Sequence, residues 1–311
     1  MIRDCAAVVT VLAAAVAHAQ PPDPFAFFRP PVAVAEADRA RLDRGEPIAH
    51  PLEAHGAEVA VFAAVPIAIE PERLIAWIER IEALKRSAYV TEIHRFSDPP
   101  CLDDLAELTV DDEDLRGVPG ATLDERQQAF RRQVLVRVDE YLAQADAASD
   151  AFARVLDHSV FLTRGLPVLA DRLRHPLRPG VDRGFLYWSK EQIANRPIVI
   201  VTDVRIETSD DPRRPAVLIA GKEIFWTRYL RASLGVTALL RGRPSGPNYL
   251  VYVNRSEADA FAGFFDGFVR WLVQRRLADE AEAVLRGLRT RLESGDPPQR
   301  EVSHVARRRA G

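Results

Sequence analysis

The sequence predicts an α+β protein built on an antiparallel sheet, with a helical insertion after the first strands and a long helix near the C-terminus. Residues 184–255 contain successive runs of β-forming residues joined by short turns, a pattern typical of an antiparallel meander. Residues 97–180 change to acidic turns and helical periodicity, and large apolar residues recur at helical spacing from residue 256 to about 293.

The N-terminus carries the features of a secretory signal peptide. Arg3 precedes an apolar run from Cys5 to Ala17, and Ala17-His18-Ala19 matches the small-residue cleavage pattern. A membrane anchor is the alternative, but it needs roughly 20 apolar residues and this run is shorter. We therefore expect cleavage after Ala19 and a periplasmic or secreted protein.

Composition narrows the classes of protein that remain. The net charge of −3 gives no reason to expect nucleic acid as a partner. Beyond the predicted signal peptide the only cysteine is Cys101, which excludes an internal disulfide and a thiolate metal site. We interpret Cys101 as a small, partly buried side chain.

The chain divides into four predicted parts. Residues 1–19 are the signal peptide, and residues 20–46 form a proline-rich linker or strap with three phenylalanines. One domain spans residues 47–293, with the helical insertion at about 97–180. Residues 294–311 are a polar, basic tail that we expect to be disordered. No segment of the expected mature chain is long and apolar enough for a stable membrane span.

The first strands and helices follow from periodicity. Both alternating sets of residues in 58–67 are apolar, which predicts a strand covered on both faces. Residues 70–87 form one amphipathic helix, and Thr122 with Glu125 matches a capping box at the start of another. In residues 198–207 the charged members of one alternating set, Asp203 and Arg205 among them, are expected to face solvent.

The last strand and helix are predicted to meet at one residue. "YLVYVNR" ends a strand, and Ser256, with Asp259 three residues later, resembles an acidic capping box. We therefore expect the terminal helix to begin at Ser256.

This order of elements resembles the START-like, or helix-grip, superfamily across residues 47–96 and 184–293. The resemblance implies a curved antiparallel sheet that grips the C-terminal helix, with a cavity for a hydrophobic ligand between them. "FLYWSKEQI" and "YLVYVNRSEADAFAGFF" are also similar to a family of secreted bacterial proteins of unassigned activity.

Several motifs for chemistry are missing. The acidic run from Asp103 to Asp114 lacks the spacing of an EF-hand, and the scattered histidines lack zinc-binding spacing. No G-x-S-x-G, P-loop or dinucleotide fingerprint occurs. The sequence predicts neither a metal nor a cofactor.

Aromatic and charged residues on the predicted strands and terminal helix are the candidate ligand contacts. They are Tyr187, Lys222, Trp226, Arg228, Tyr252, Phe261, Phe265 and Phe268. Alternation places Lys222, Trp226 and Arg228 on one side of a strand, where a buried cation would suit an acidic headgroup. Alternatively, these charges end an outward face and the rings pack as ordinary β-formers.

The sequence favours a binding protein for a hydrophobic or amphipathic, lipid-like molecule held between the sheet and the C-terminal helix. A cyclase- or hydrolase-like enzyme that uses the same cavity is one alternative. An envelope interaction protein with a filled core and a protein partner is the other.

Overall fold

The computed structural model describes residues 23–144, 148–193, 196–228, 230–243, 246–258, 266–295 and 297. For residue 193 and residues 266–277 the description covers the backbone alone.

Eight strands within these residues form one antiparallel sheet. They are β1 Ile48–Pro51, β2 Glu58–Ile67, β3 Val90–Arg95, β4 Gly184–Ile193, β5 Arg196–Thr208, β6 Val217–Trp226, β7 Leu230–Leu240 and β8 Asn248–Ala258. The strand order is β1-β2-β8-β7-β6-β5-β4-β3, and each neighbouring pair is antiparallel. The sheet is open, with β1 and β3 at its edges. These observations confirm an α+β fold on an antiparallel sheet.

Four of the eight α-helices in the described chain lie between β3 and β4. They are α1 Glu36–Asp43, α2 Pro71–Ile78, α3 Ile81–Lys85, α4 Leu123–Ala143, α5 Asp150–His158, α6 Val160–Gly165, α7 Pro167–Arg174 and α8 Asp266–Ser294. Short 3-10 helices occur at Pro24–Phe28 and Leu102–Leu105. Among these helices none is long and apolar enough to cross a bilayer.

Local sequence explains where several of these elements begin. The Thr122 hydroxyl accepts from the Glu125 backbone N–H, and the Glu125 carboxylate accepts in return from the Thr122 N–H, so the predicted capping box starts α4. Pro71 occupies the first turn of α2, where its missing N–H costs no hydrogen bond. Every residue of β2 is buried, as its two apolar faces predict.

The two faces of the sheet pack against different parts of the chain. On the first face, Val61, Ala63 and Val65 of β2 join a core with α2, α3 and the described side chains of α8. On the second face, Phe62 and Ala64 join a core with α5, α6 and α7, while α4 packs over β4 and β5 in a further cluster. We call these the α8 side and the insertion side.

The N-terminal described segment packs on the insertion side. Phe25 and Phe28 are almost completely buried, and the ring centroid of Phe28 lies 4.9 Å from that of Phe161 in α6. Phe25 lies 5.1 Å from Tyr249 by the same measure. These contacts hold residues 24–28 against the body of the protein.

Four local predictions are wrong. Residues 70–87 form two helices because the backbone leaves helical geometry at Arg80, between α2 and α3. Ser256 does not start a helix, because β8 continues to Ala258 and Ser256 is paired with both Val59 and Ser233. Asp203 and Arg205 are buried, since the insertion covers the face that was expected to be solvated. Cys101 is exposed, not partly buried.

Candidate functional site

The centre of the sheet is half-exposed on the α8 side. Along β6, β7 and β8, half-exposed residues alternate with completely buried ones. The half-exposed set is Gly221, Glu223, Gly235, Thr237, Tyr252 and Asn254. Their buried neighbours, such as Leu234 and Val253, point to the insertion side. Because these are interior strands of the sheet, the pattern indicates an incompletely filled depression, which we call the sheet recess.

Strand register makes the recess continuous across neighbouring strands. Gly221 is opposite Gly235, and Gly235 is opposite Asn254. Thr237 is opposite Tyr252, which is in turn opposite Ala63 on β2. The two facing glycines have no side chains, so the sheet surface lies deeper at this point of the recess. A Cβ added to Gly235 would meet Tyr252 at an ordinary van der Waals distance of 3.7 Å.

A lysine and a carboxylate form one polar wall of the recess. Nζ of Lys85 donates to Oε1 of Glu191 at 2.8 Å and bonds the Tyr187 hydroxyl oxygen at 3.0 Å. Oγ of Ser189 donates to the same Glu191 oxygen at 2.7 Å. Tyr187, Ser189 and Glu191 alternate along β4, so all three side chains share the α8 side with the core residues around Tyr187.

Burial and pairing shift the pKa values of Lys85 and Glu191 in opposite directions. Burial alone lowers the pKa of Lys85, but the Glu191 charge and the hydrogen bonds raise that pKa well above its usual value. Burial alone raises the pKa of Glu191, but Lys85 and Ser189 lower it below the usual value. Yet the two side chains keep 30% and 23% of their surface accessible. The pair is therefore bonded internally and still partly accessible on the α8 side.

Glu223 is the second carboxyl group of the recess. Burial raises the pKa of Glu223 to about 7, the Glu191 charge raises it further, and Lys85 and Ser233 oppose the shift. Its Oε2 atom is buried and has no hydrogen-bond partner in the described part of the chain. Burial also raises the pKa of the neighbouring Tyr252. Glu223 therefore combines a raised pKa with one acceptor oxygen that has no partner in the described ranges.

Three small polar side chains continue the recess next to Glu223. Oγ of Ser256 lies 3.0 Å from Oγ of Ser233 and donates to Oδ1 of Asn254 at 2.8 Å. Both contacts follow from the position of Ser256 within β8. Its hydroxyl bonds neighbouring strand side chains and does not cap the backbone.

Helix α8 helps to position Lys85. Arg291 donates to the backbone oxygens of Ala83, Leu84 and Arg86, the carbonyls left over where α3 ends. Lys85 is the last residue of α3, and its neighbour Leu84 is buried in the core on the α8 side. The C-terminal helix thus fixes the short helix that presents the lysine.

Two of the predicted contacts, Tyr187 and Tyr252, lie at the recess. Three others do not come together as predicted. Lys222 points to the insertion side, where Nζ donates to the Leu173 carbonyl at 3.1 Å and lies 4.5 Å from the ring centroid of Phe152. The prediction that Lys222 shares a side with Trp226 and Arg228 is wrong.

A β-bulge explains this error. Thr202 is opposite Glu223, whereas Val201 is opposite Phe225, so Ile224 is an extra residue in β6. The bulge reverses the alternation after Glu223. Trp226 ends the strand beside a shallow surface depression of about 880 Å³ along α4.

Arg228 lies beyond the end of β6 and joins the acidic run of the insertion. Its guanidinium donates to Asp114 at 2.6 Å and Glu113 at 2.7 Å. It is an ion-pair residue and not a ligand contact of the recess.

The predicted contacts on the terminal helix lie outside this description. Phe261 and Phe265 are not among the described residues, and Phe268 is described by its backbone alone. They stay predictions.

Sequence reasoning missed Lys85, Glu191 and Glu223. Glu223 carried a weak signal, because it follows Val217, Ile219 and Gly221 on the otherwise apolar side of β6. Lys85 carried none, since a lysine at a helix end is ordinarily solvated.

The opposite face of the sheet contains a second charged group, which we call the sealed cluster: Tyr141, Asp182, Asp203, Arg205 and Lys222. Arg205 donates to both oxygens of Asp203 at 2.7 and 2.8 Å and to Asp182 at 2.8 Å. Tyr141 of α4 donates to Asp203 at 2.6 Å. Burial and the Asp203 charge raise the pKa of Tyr141. The cluster joins the insertion to β5.

No group of three or more His, Cys, Asp or Glu side chains in the described ranges is arranged to hold a metal ion.

Comparison with known proteins gives little more. No protein-family model matches the chain, and no curated protein matches it. Among solved structures the chain is similar to "the di-domain ARO/CYC BexL from the BE-7585A biosynthetic pathway", at 12% identity and a TM-score of 0.27. The match covers 81% of this chain and 77% of that chain. A TM-score this low bears neither on the fold nor on the activity of this protein.

Proposed function

We propose that this protein binds an amphipathic small molecule in the sheet recess, between the sheet and the C-terminal helix. The observation that carries the proposal is the half-exposed polar floor in the middle of the sheet. Ligand sites are usually concave and mainly apolar, with a few converging polar groups. Glu223, Lys85 and Glu191 would supply the polar groups.

Buried apolar residues border the recess. Val61 and Ala63 of β2 and Val204 of β5 lie on the same side of the sheet, beside Asn254, Tyr252 and Gly221 in register. The predicted aromatic contacts Phe261, Phe265 and Phe268 belong to this proposal as the opposite wall. A ligand with a lipid-like chain and a compact polar end would suit polar groups within such an apolar border.

An acid–base enzyme that uses the same recess is the second candidate. A general acid or base works best with a pKa near the working pH, and Glu223, at about 7, meets that condition. Such an enzyme would still need its substrate within hydrogen-bond reach of Glu223. Binding comes first in either case, so the same experiment tests both.

Export forms part of the proposal. The predicted signal peptide at residues 1–19 would place the protein in the periplasm or outside the cell. N-terminal sequencing of protein from cell fractions tests this. We expect a mature N-terminus at Gln20 in the exported fraction, and an uncleaved chain confined to the cytoplasm would contradict export.

Native mass spectrometry of protein purified from its own compartment tests binding. We expect a co-purifying small molecule in the wild type and its loss in Gly235→Leu, because the new side chain projects from the floor of the recess. Gly287→Leu is the matched control, since Gly287 is exposed on α8 and a Cβ there meets nothing within 4 Å. Repeated empty preparations, with no lipid that raises the melting temperature, would overturn the proposal and favour a protein-interaction role.

A further inference from the structure

Among the side chains that the structure describes, the charges of the recess do not balance. Lys85 contributes +1 and Glu191 contributes −1, and these two are bonded to each other at 2.8 Å. Tyr187 and Ser189 complete their hydrogen bonds. An ionised Glu223 therefore leaves the recess with a net charge of −1, since +1 − 1 − 1 = −1.

No described positive group is bonded to Glu223. The groups that face it are Lys85 from α3, Glu191 and Tyr187 from β4, Thr202 from β5, Ser233 from β7 and Tyr252 from β8. Lys85 is the one cation among these, and it is already bonded to Glu191 and Tyr187. A buried acceptor without a donor carries a desolvation cost that a bound donor would remove.

We propose that the ligand carries a cationic amine, or a closely similar hydrogen-bond donor, that pairs with the Glu223 carboxylate while its chain lies along the apolar side of the recess. This inference rests on the proposed binding function and names its ligand class. It reverses the acidic headgroup expected from Lys222, because that lysine points to the other face of the sheet. A charge-assisted bond to the free carboxylate is stronger than a neutral one.

Three ligands with the same chain and different heads separate the possibilities. Dodecylammonium and dodecanoate are titrated below their micelle concentrations, and dodecanol below its solubility limit, into the full mature chain, with isothermal calorimetry at pH 8. We expect the ammonium to bind at least about tenfold tighter than the carboxylate, with the alcohol between them. Glu223→Gln should weaken ammonium binding about tenfold and leave the alcohol nearly unchanged.

Glu140→Gln is the charge-matched control, since Glu140 is exposed on α4. It removes one negative charge on the far side of the sheet and should change no affinity by more than about twofold.

A second measurement needs no variant. For the wild type, ammonium affinity should rise about tenfold between pH 6 and pH 8 as Glu223 ionises, while carboxylate affinity should not rise. Tighter binding of dodecanoate, or a flat pH profile for the ammonium, would overturn the amine inference and leave binding itself intact. Failure of all three ligands to bind the wild type would overturn the proposed function, and the inference with it.

Discussion

The charged side chains on the two faces of the sheet differ in how far they are buried and paired. On the insertion side, Asp203 and Arg205 are exposed by no more than 2%, and Arg205 bonds both Asp203 oxygens and Asp182. On the α8 side, Lys85 and Glu191 pair while keeping about a quarter of their surface accessible, and one buried oxygen of Glu223 has no partner among the described residues.

The difference separates charges that are compensated within the described chain from a carboxyl group that we propose binds a ligand. Burying an ion is costly unless pairing and hydrogen bonds compensate for it. The sealed cluster meets this condition within the described chain, so it needs nothing from outside. In the recess, pairing compensates the buried charges of Lys85 and Glu191 alone. The Glu223 carboxylate needs a hydrogen-bond donor from a protein group, water or ligand that approaches from the open side.

The largest expected effect is on the sealed cluster. Asp203→Ala leaves Arg205 and Tyr141 without their shared acceptor, and we expect a loss of roughly 3–5 kcal/mol in the free energy of unfolding. Urea denaturation at pH 7 measures it. Glu223→Gln, in the other face, is the matched comparison and should cause no loss of stability at this pH, because the neutral amide carries no desolvated charge. Similar losses for both variants would erase the distinction between the faces.

The next largest loss of stability is expected when a glycine on the insertion side is replaced. A Cβ on Gly184 would overlap the carbonyl oxygen of Val204 and press on Leu177, so Gly184→Ala requires backbone movement. We expect a loss of about 2–3 kcal/mol, typical of overpacking. Thermal and urea unfolding measure it. A loss below about 0.5 kcal/mol would mean that the insertion side adapts as readily as the recess.

The pH dependence of stability tests Glu223 alone. Its folded pKa of about 7 stands above its ordinary 4.5, so the folded state binds the proton more tightly and stability falls as pH rises from about 4.5 to 7. Glu223→Gln stays neutral and escapes this loss. We expect the variant to match the wild type near pH 4.5 and to be more stable at pH 8 by on the order of 1–3 kcal/mol.

Glu191→Gln should change the pH dependence of stability in the opposite direction. The pKa of Glu191 is lowered in the folded state, so its contribution to stability is present above its ordinary pKa and is lost as pH falls through the lowered value. Glu191→Gln should therefore destabilise the protein at pH 8. Equal responses of the two variants would show that the carboxyls share one environment.

The smallest stability effect is expected at Gly235. A Cβ there meets Tyr252 and Asn254 at ordinary contact distances, and alanine reduces the entropy of the unfolded chain. We expect Gly235→Ala to change the free energy of unfolding by less than about 1 kcal/mol while weakening ligand binding. A loss as large as that of Gly184→Ala would mean that the recess is packed.

The sequence predicts the fold better than it predicts the site. Periodicity identifies β2 and the meander because each buries a repeating face, and the Thr122–Glu125 capping box fixes the start of α4. Alternation alone cannot say that a distant insertion covers Asp203 and Arg205. Because both residues are charged, the sequence predicted that they face solvent. The pairing that permits their burial involves Asp182 and Tyr141 from other elements.

Two local irregularities account for most of the errors at the site. The bulge at Ile224 reverses the side on which later residues of β6 lie, and a bulge leaves little trace in composition. Lys85 reaches the recess because α2 and α3 are separate helices and Arg291 binds the carbonyls at the end of α3. Contacts this distant in sequence are not visible in periodicity.

A ¹³C NMR titration of the Glu223 side-chain carboxyl carbon, assigned with Glu223→Gln, tests the central claim most directly. In the free protein we expect a midpoint near 7, and with saturating dodecylammonium a midpoint at least about one unit lower, because the bound cation favours the ionised form. A midpoint near 4.5 that dodecylammonium does not move would show a solvated carboxylate and would contradict the account of the recess.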